Sequence, residues 1–240
     1  MKNTLLSLGL VTIALTACSQ NKVINDANAV TRSVKNFHAV EVGDGIDLYI
    51  SPGNDEAVAV SASKPEYRDN ITTVVENGIL KIYYGSRSDW HFNWSGGRHM
   101  KAYLSFKNLD YLNGSGGSDI YVTGTLRVPK LKLTVSGGSD FDGAVEVSDL
   151  NVELSGGSDI KISGKSGSLK IDASGGSDFK GYELSSETCY AEGSGGAELQ
   201  VRVNKELSVN TSGGSDVYYK GSGVIRDMKT SGGGSVSKRD

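Results

Sequence analysis

Ser155-Gly156-Gly157-Ser158-Asp159 is one of five identical copies of the same pentapeptide in the second half of this chain. The identical copies begin at Ser115, Ser136, Ser155, Ser174 and Ser212, and degenerate copies begin at Ser194 and Ser231. Successive copies are 21, 19, 19, 20, 18 and 19 residues apart. So short and regular a period is typical of a solenoid, in which each repeat is one supersecondary unit stacked on its neighbour.

The residues on both sides of the pentapeptide alternate as they do in half-buried strands. Before Ser155, for example, Leu150, Val152 and Leu154 are apolar and the residues between them are polar. A second apolar column begins five residues after the first Ser of each copy, at Ile120, Phe141, Ile160, Phe179, Leu199, Val217 and Val236. Alternation with period two predicts strands with one face inward. Each repeat is therefore predicted to be a strand, a glycine corner, a second strand and a second corner.

The paired glycines have a backbone explanation, because a sharp corner needs a positive φ or a close approach between neighbouring coils. The spaced leucines and the Asn or Cys ladder of leucine-rich repeats are absent, and so is helical periodicity. The sequence predicts an all-β fold, a right-handed parallel β-helix or solenoid with coils of about 20 residues. The handedness follows the preference of parallel crossovers.

Shorter strands precede the repeats. Alternating residues predict strands over 39–42, 46–50, 57–61, 71–75, 79–84 and 100–106, with a helical turn within 64–70. Asn77-Gly78 is a strong hairpin signal. We divide the chain into a signal peptide at 1–17, a tether at 18–32, an N-terminal β part at 33–110 and the solenoid repeats at 111–237.

The first 18 residues have the features of a targeting segment. Lys2 precedes an apolar stretch, and Leu15-Thr16-Ala17-Cys18 resembles the lipobox of bacterial lipoproteins. That resemblance implies acylation of Cys18 and a lipid anchor, in an outer membrane lipoprotein on the periplasmic or the cell-surface face. The alternative is an ordinary secretory peptide with an incidental cysteine. The second cysteine, Cys189, lies in an apolar column and is predicted to be buried and structural.

The chain as a whole resembles the head GIN domain family of putative auto-transporter adhesins. The likeness lies in Phe37–Val42 with Gly45–Ile50, in the Asn77–Ile82 hairpin and in the Gly114–Asp119 type of repeat. It covers roughly residues 33–237. It implies a right-handed β-helical protein of the cell envelope, and the family has no established catalytic residues that could be assigned here.

Composition restricts the function further. Lys and Arg number 25 against 28 Asp and Glu, for a net charge of −3, and the basic residues form no stripe, which argues against nucleic-acid binding. Known catalytic and phosphate-binding motifs are absent from the sequence. We expect a non-enzymatic, adhesin-like protein that binds a glycan or a protein. The alternatives are a β-helical polysaccharide lyase or hydrolase, and a periplasmic scaffold without an external ligand. Open solenoid ends also favour a homo-oligomer.

The acidic residue that closes each repeat should form a column along one edge of the solenoid. Its predicted members are Asp119, Asp140, Asp159, Asp178, Glu198 and Asp216. Stacked carboxylates are hard oxygen ligands of the kind that Ca²⁺ prefers, so the five aspartates are candidate metal ligands. The alternative is a solvated column that needs no cofactor, since neighbours in water repel by only about 1 kcal/mol.

The segment between the strands at 79–84 and 100–106 holds both tryptophans of the chain. Trp90, His91, Phe92 and Trp94 are candidate ligand-binding residues, because exposed aromatic rings can stack on sugars or anchor a protein partner. The alternative is a loop that folds its rings over the solenoid as a cover.

Overall fold

The computed structural model describes residues 26–85 and 97–240, which form sixteen strands and one short helix. The elements are β1 (Val30–Arg32), β2 (Ala39–Val42), β3 (Ile46–Pro52), β4 (Ala57–Ser61), α1 (Pro65–Asp69), β5 (Ile71–Glu76), β6 (Ile79–Tyr84), β7 (Met100–Phe106), β8 (Tyr111–Gly114), β9 (Ile120–Ser136), β10 (Asp140–Ser155), β11 (Asp159–Ala173), β12 (Asp178–Gly193), β13 (Glu198–Thr211), β14 (Asp216–Lys220), β15 (Val224–Thr230) and β16 (Ser235–Lys238). These bounds agree closely with the strands and the helical turn predicted before the repeats.

The repeats stack as parallel coils, and the predicted β-solenoid class is confirmed, with about 7 turns. Strands β9 to β13 pair in parallel, each with the next, and the register places each pentapeptide directly on the one before. Asp140, for example, lies opposite Asp159, and Asp159 lies opposite Asp178. The sequence period therefore equals the length of chain that returns to the same column.

The stack extends into the first half of the chain. Strand β2 pairs in parallel with β8, and β3 pairs in parallel with β9. The N–H of Ile46 donates to Ser118 Oγ at 3.0 Å, so the corner at 43–45 packs on the first pentapeptide. On the other side, β6 pairs in parallel with β2, and β7 pairs in parallel with β3.

Antiparallel strands close this first end. Strand β4 runs antiparallel to β7, β1 runs antiparallel to β4, and β5 runs antiparallel to β6. Val58, Val60 and Ile71 of these strands are 3% exposed or less. The reversal of direction therefore ends the parallel stack while its apolar residues stay covered.

Two inward columns run through the core of the solenoid. The first contains Leu131, Leu150, Leu169, Cys189 and Leu207, and the second contains Ile120, Phe141, Ile160, Phe179, Leu199 and Val217, all of them buried. Burial of each such side chain stabilises the fold by about 1.5–3 kcal/mol. The prediction for Cys189 is confirmed: it is a free, buried cysteine, and burial raises the pKa of its thiol to about 12.

The glycine corners satisfy both of the predicted requirements. Gly175 has φ +76°, and a Cβ on it would lie 2.7 Å from the carbonyl oxygen of Gly156 in the preceding coil. The N–H of the next residue, Gly176, donates to that same carbonyl at 2.9 Å. The coils therefore stay hydrogen-bonded through the corner because no side chain separates them. No helix within 26–85 or 97–240 is long and apolar enough to cross a membrane.

Candidate functional site

The predicted column of acidic residues lies along the outside of the solenoid. From Asp140 to Asp216 each acidic residue stands opposite the next in register, and all six lie between an inward serine or alanine and an inward apolar residue. The structure adds one member that the sequence interpretation missed. Asp47 precedes Leu48, which pairs with Ile120, so Asp47 lies beside Asp119. The Asp-apolar pair that Asp47-Leu48 shares with Asp119-Ile120 could have identified it.

Several of these carboxylates link neighbouring coils. Asp119 Oδ1 accepts a hydrogen bond from the N–H of Asp140 at 3.1 Å, and Asp140 Oδ1 accepts one from the N–H of Asp159 at 3.1 Å. Asp216 Oδ1 accepts from the N–H of Ser235 at 3.1 Å and from its Oγ at 2.6 Å. One carboxylate oxygen of each is therefore engaged in holding the stack together.

A lysine, burial and neighbouring charges affect other carboxylates of the acidic column. Lys180 Nζ lies 2.7 Å from Asp159 Oδ2 and 3.6 Å from Asp178 Oδ2. Burial, with a smaller contribution from the Asp119 charge, raises the pKa of Asp47. Burial likewise raises the pKa of Asp140, which also has acidic neighbours in both adjoining coils.

No group of three or more His, Cys, Asp or Glu within 26–85 and 97–240 is arranged to hold a metal ion. A Ca²⁺ site at Asp119, Asp140, Asp159, Asp178 and Asp216 stays a prediction. It would be supported by a calcium-dependent rise in melting temperature that Asp159→Asn and Asp178→Asn abolish.

A column of three tyrosines runs beside the acidic column. Tyr49 lies opposite Tyr103 on one side and Tyr121 on the other. The ring centroids are 5.4 Å apart for Tyr49 and Tyr103 and 5.1 Å apart for Tyr49 and Tyr121, with interplanar angles of 27° and 20°. We call Tyr103, Tyr49 and Tyr121 the tyrosine column.

The sequence interpretation missed the tyrosine column, although a signal was present. Each ring follows an outward charged residue and an inward apolar residue, as in Lys101-Ala102-Tyr103, Asp47-Leu48-Tyr49 and Asp119-Ile120-Tyr121. The three triplets are far apart in the chain, and the strand order β7-β3-β9 brings them together.

Hydrogen bonds and charges fix the rings. The Tyr103 hydroxyl donates to Asp26 Oδ2 at 2.8 Å, and the Tyr121 hydroxyl donates to Asp119 Oδ2 at 3.3 Å. Burial, with a smaller effect of the Asp119 charge, raises the pKa of Tyr121 to about 12. Burial, together with Asp26, raises the pKa of Tyr103 as well. These phenols therefore stay protonated and act as hydrogen-bond donors at neutral pH.

Tyr121 ends the tyrosine column. Beyond it the same register position is taken by Asp142 and Lys161, which form an ion pair at 3.2 Å. One face of the Tyr121 ring stacks on Tyr49, and the other faces this charged coil. Tyr121 is 37% exposed. The exposed part of the Tyr121 ring can contact an apolar surface, and the carboxylates around it can accept hydrogen bonds from hydroxyl groups.

The predicted binding residues Trp90, His91, Phe92 and Trp94 lie outside the described residues, as does Cys18. The residues that follow this segment are described. Arg98 stacks over Tyr84 with its guanidinium carbon 4.6 Å from the ring centroid, and Lys101 Nζ lies 5.8 Å from the Tyr49 ring centroid. Strand β7, which carries Tyr103 of the tyrosine column, begins at Met100.

The family described as "Putative auto-transporter adhesin, head GIN domain" matches residues 36–223 of the chain. No curated protein sequence matches the chain.

Solved structures resemble the fold over most of its length. A putative adhesin from Bacteroides fragilis is 18% identical with a TM-score of 0.78, and the match covers 89% of this chain and 98% of that one. A putative lipid binding protein from Parabacteroides distasonis is 19% identical with a TM-score of 0.67, covering 90% and 98%. A putative adhesin from Parabacteroides merdae is 14% identical with a TM-score of 0.65, covering 88% and 95%. At these identities the likeness concerns the fold.

Proposed function

Because the chain belongs to the putative auto-transporter adhesin, head GIN domain family, we propose that it is a non-enzymatic binding protein of the cell envelope whose tyrosine column recognises a glycan. The observation that carries the proposal is the stack of three rings ending in a half-exposed Tyr121 beside carboxylates. Sugars combine apolar ring faces with hydroxyl groups, and this surface offers a partly exposed aromatic ring next to hydrogen-bond acceptors.

The charges around the tyrosine column favour a neutral or amino sugar. Four carboxylates surround it, those of Asp47, Asp119, Asp140 and Asp142, against two lysines, Lys101 and Lys161. An acidic glycan rich in uronates would be repelled by this surface. The same excess of carboxylates disfavours the lyase alternative, which requires a basic residue beside the substrate acid. In accordance with this, the family and the solved neighbours are described as putative adhesins or as a lipid binding protein, not as enzymes.

The test is a glycan array probed with the purified protein and a matched pair of variants. Tyr121→Ala removes the exposed end of the tyrosine column and is expected to weaken binding by roughly tenfold or more. Tyr190→Ala is the control, because Tyr190 is 39% exposed and donates to Glu192 at 3.2 Å, much as Tyr121 donates to Asp119. Tyr121→Phe keeps the ring and should keep most of the affinity.

A fourth variant separates this surface from the other predicted site. Trp90→Ala with Trp94→Ala is expected to change binding less than Tyr121→Ala does. The proposal fails if no glycan binds, or if Tyr121→Ala and Tyr190→Ala behave alike. If only the tryptophan variant loses binding, recognition belongs to the segment at 88–99 instead.

We also propose that Cys18 carries the lipid that anchors the protein in the outer membrane. The lipobox resemblance and the membership of an adhesin family support this location. Mass spectrometry of the processed N-terminus should show an acylated Cys18, and Cys18→Ser should release the protein from the membrane fraction. An unmodified N-terminus at another residue would contradict the anchor and leave the glycan proposal standing.

A further inference from the structure

The second end of the solenoid is formed by β15 and β16, and β15 is paired on one edge. Strand β15 pairs in parallel with β13, and within the described part of the chain nothing pairs with its other edge. All seven of its residues are exposed. Such an edge offers a row of free backbone donors and acceptors to another strand.

The inward side of β15 is apolar and uncovered. Ile225 and Met228 lie in register with Leu207 and Val209, which belong to the core. Leu207 and Val209 are 0% and 2% exposed, whereas Ile225 and Met228 are 38% and 53% exposed. A strand that paired with β15 would therefore gain backbone hydrogen bonds and cover apolar side chains at the same time.

Symmetry restricts how a second copy of β15 can pair with the first. In an antiparallel pair, the two-fold axis passes between a residue and its own copy. An axis at Arg226, Asp227 or Lys229 would place that charged side chain opposite itself, which is unfavourable. An axis at Met228 places two apolar side chains opposite each other.

The same axis also matches the charges. It sets Asp227 opposite the partner's Lys229, and Lys229 opposite the partner's Asp227. Within one chain Lys229 Nζ already lies 3.8 Å from Asp227 Oδ2, and both side chains are exposed. Two copies would therefore form a square of four charges with alternating sign. Cross-strand pairs of opposite charge favour one register over its neighbours.

We infer that two copies of this chain associate end to end through antiparallel pairing of β15 with its copy, in the register centred on Met228. The contact is isologous, so the assembly stops at two. The end of a solenoid is a small surface, and interfaces below about 1,200 Å² are typical of weak association. The dimer is therefore expected to dissociate on dilution.

Sedimentation velocity over a series of concentrations tests the inference. The wild-type protein should shift from monomer to dimer as its concentration rises. Asp227→Lys and Lys229→Asp each place like charges across the axis and should weaken self-association by about tenfold or more. Mixing these two variants restores opposite charges at both positions and should yield a heterodimer. The double exchange of Asp227→Lys with Lys229→Asp should restore the homodimer.

Lys130→Asp is the matched control, because Lys130 is an exposed lysine that pairs with Asp149 at 3.4 Å on an inner coil. It should self-associate as the wild type does. Circular dichroism of every variant checks that the fold is kept. The inference is wrong if the wild type stays monomeric at millimolar concentration, if the single variants dimerise normally, if their mixture does not recover, or if the assembly grows beyond two.

Discussion

The two ends of the solenoid finish in opposite ways. At the first end, antiparallel strands β1, β4 and β5 cover the stack, and Val60 and Ile71 are 0% and 3% exposed. At the second end, β15 continues the parallel pattern, and its inward Met228 is 53% exposed. Each coil covers the coils on either side of it, so a stack of repeats leaves both end coils uncovered unless other elements cover them. The difference shows that burial of the apolar residues at each end depends on how the stack of coils is terminated and not on the repeats themselves.

The largest expected effect on stability is that of Gly175→Ala, which is compared with the same substitution at Gly232. Gly175 and Gly232 have φ of +76° and +72°, and a Cβ on either would lie 2.7 Å from the carbonyl oxygen of the preceding corner. Gly175→Ala should lower the free energy of unfolding by about 2–5 kcal/mol, through a left-handed backbone and overpacking. Gly232→Ala should cost much less, because the last coil can open locally. Urea denaturation measures both.

Gly176→Ala is the control for the corner itself. Gly176 lacks a positive φ, and a Cβ on it would lie 4.0 Å from the nearest atom. Its unfolding midpoint should stay close to that of the wild type. Equal losses for Gly175→Ala and Gly232→Ala would show that the second end is as firmly held as the middle.

Truncation of one apolar side chain at each end gives a second contrast. Ile71→Ala at the covered end should lower the free energy of unfolding by about 2–4 kcal/mol, because it leaves a cavity. Met228→Ala should change it by less than about 0.5 kcal/mol in dilute protein, since the side chain is already half in water. Thermal unfolding monitored by circular dichroism checks both values. A large loss for Met228→Ala in the monomer would mean that this end is covered in solution.

The smallest expected effects on stability are those of Asp47→Asn and Glu187→Gln, which should have opposite signs at neutral pH. The pKa of Asp47 is raised by burial and by Asp119, so its stabilising contribution is present in acid and lost as the pH rises through the raised pKa. Asp47→Asn should therefore stabilise the protein at pH 7, by less than about 1 kcal/mol, and the gain should vanish in acid.

Glu187, in the coils nearer the open end, is the counterpart. Hydrogen bonds from Lys205 and Asn204 lower the pKa of Glu187, so its contribution is present at neutral pH and lost as the pH falls through the lowered pKa. Glu187→Gln should therefore lower the melting temperature slightly at pH 7 and have no effect in acid. Melting curves of both variants across pH test this; the same sign of shift for Asp47→Asn and Glu187→Gln at pH 7 would contradict it.

Local rules explain why much of the fold could be predicted. Alternation around Leu150, Val152 and Leu154 identifies an inward face from the residues themselves, and Asn77-Gly78 identifies a hairpin. The acidic column was also predictable, because identical repeats in one register must bring Asp140 beside Asp159. Asp47 escaped because its corner lacks the pentapeptide, although it stacks on the same column.

The amino-acid sequence alone therefore establishes the coil length, the inward columns, the glycine corners and the order of the repeats, because each depends on backbone geometry that recurs at a constant period. The stacking of Tyr49 on Tyr103 and Tyr121 depends on strand order, in which β7 and β9 flank β3 although neither is adjacent to it in sequence. The closed first end and the open edge of β15 also emerge only in three dimensions, since whether an apolar residue is covered depends on which strand lies beyond it and not on its own neighbours.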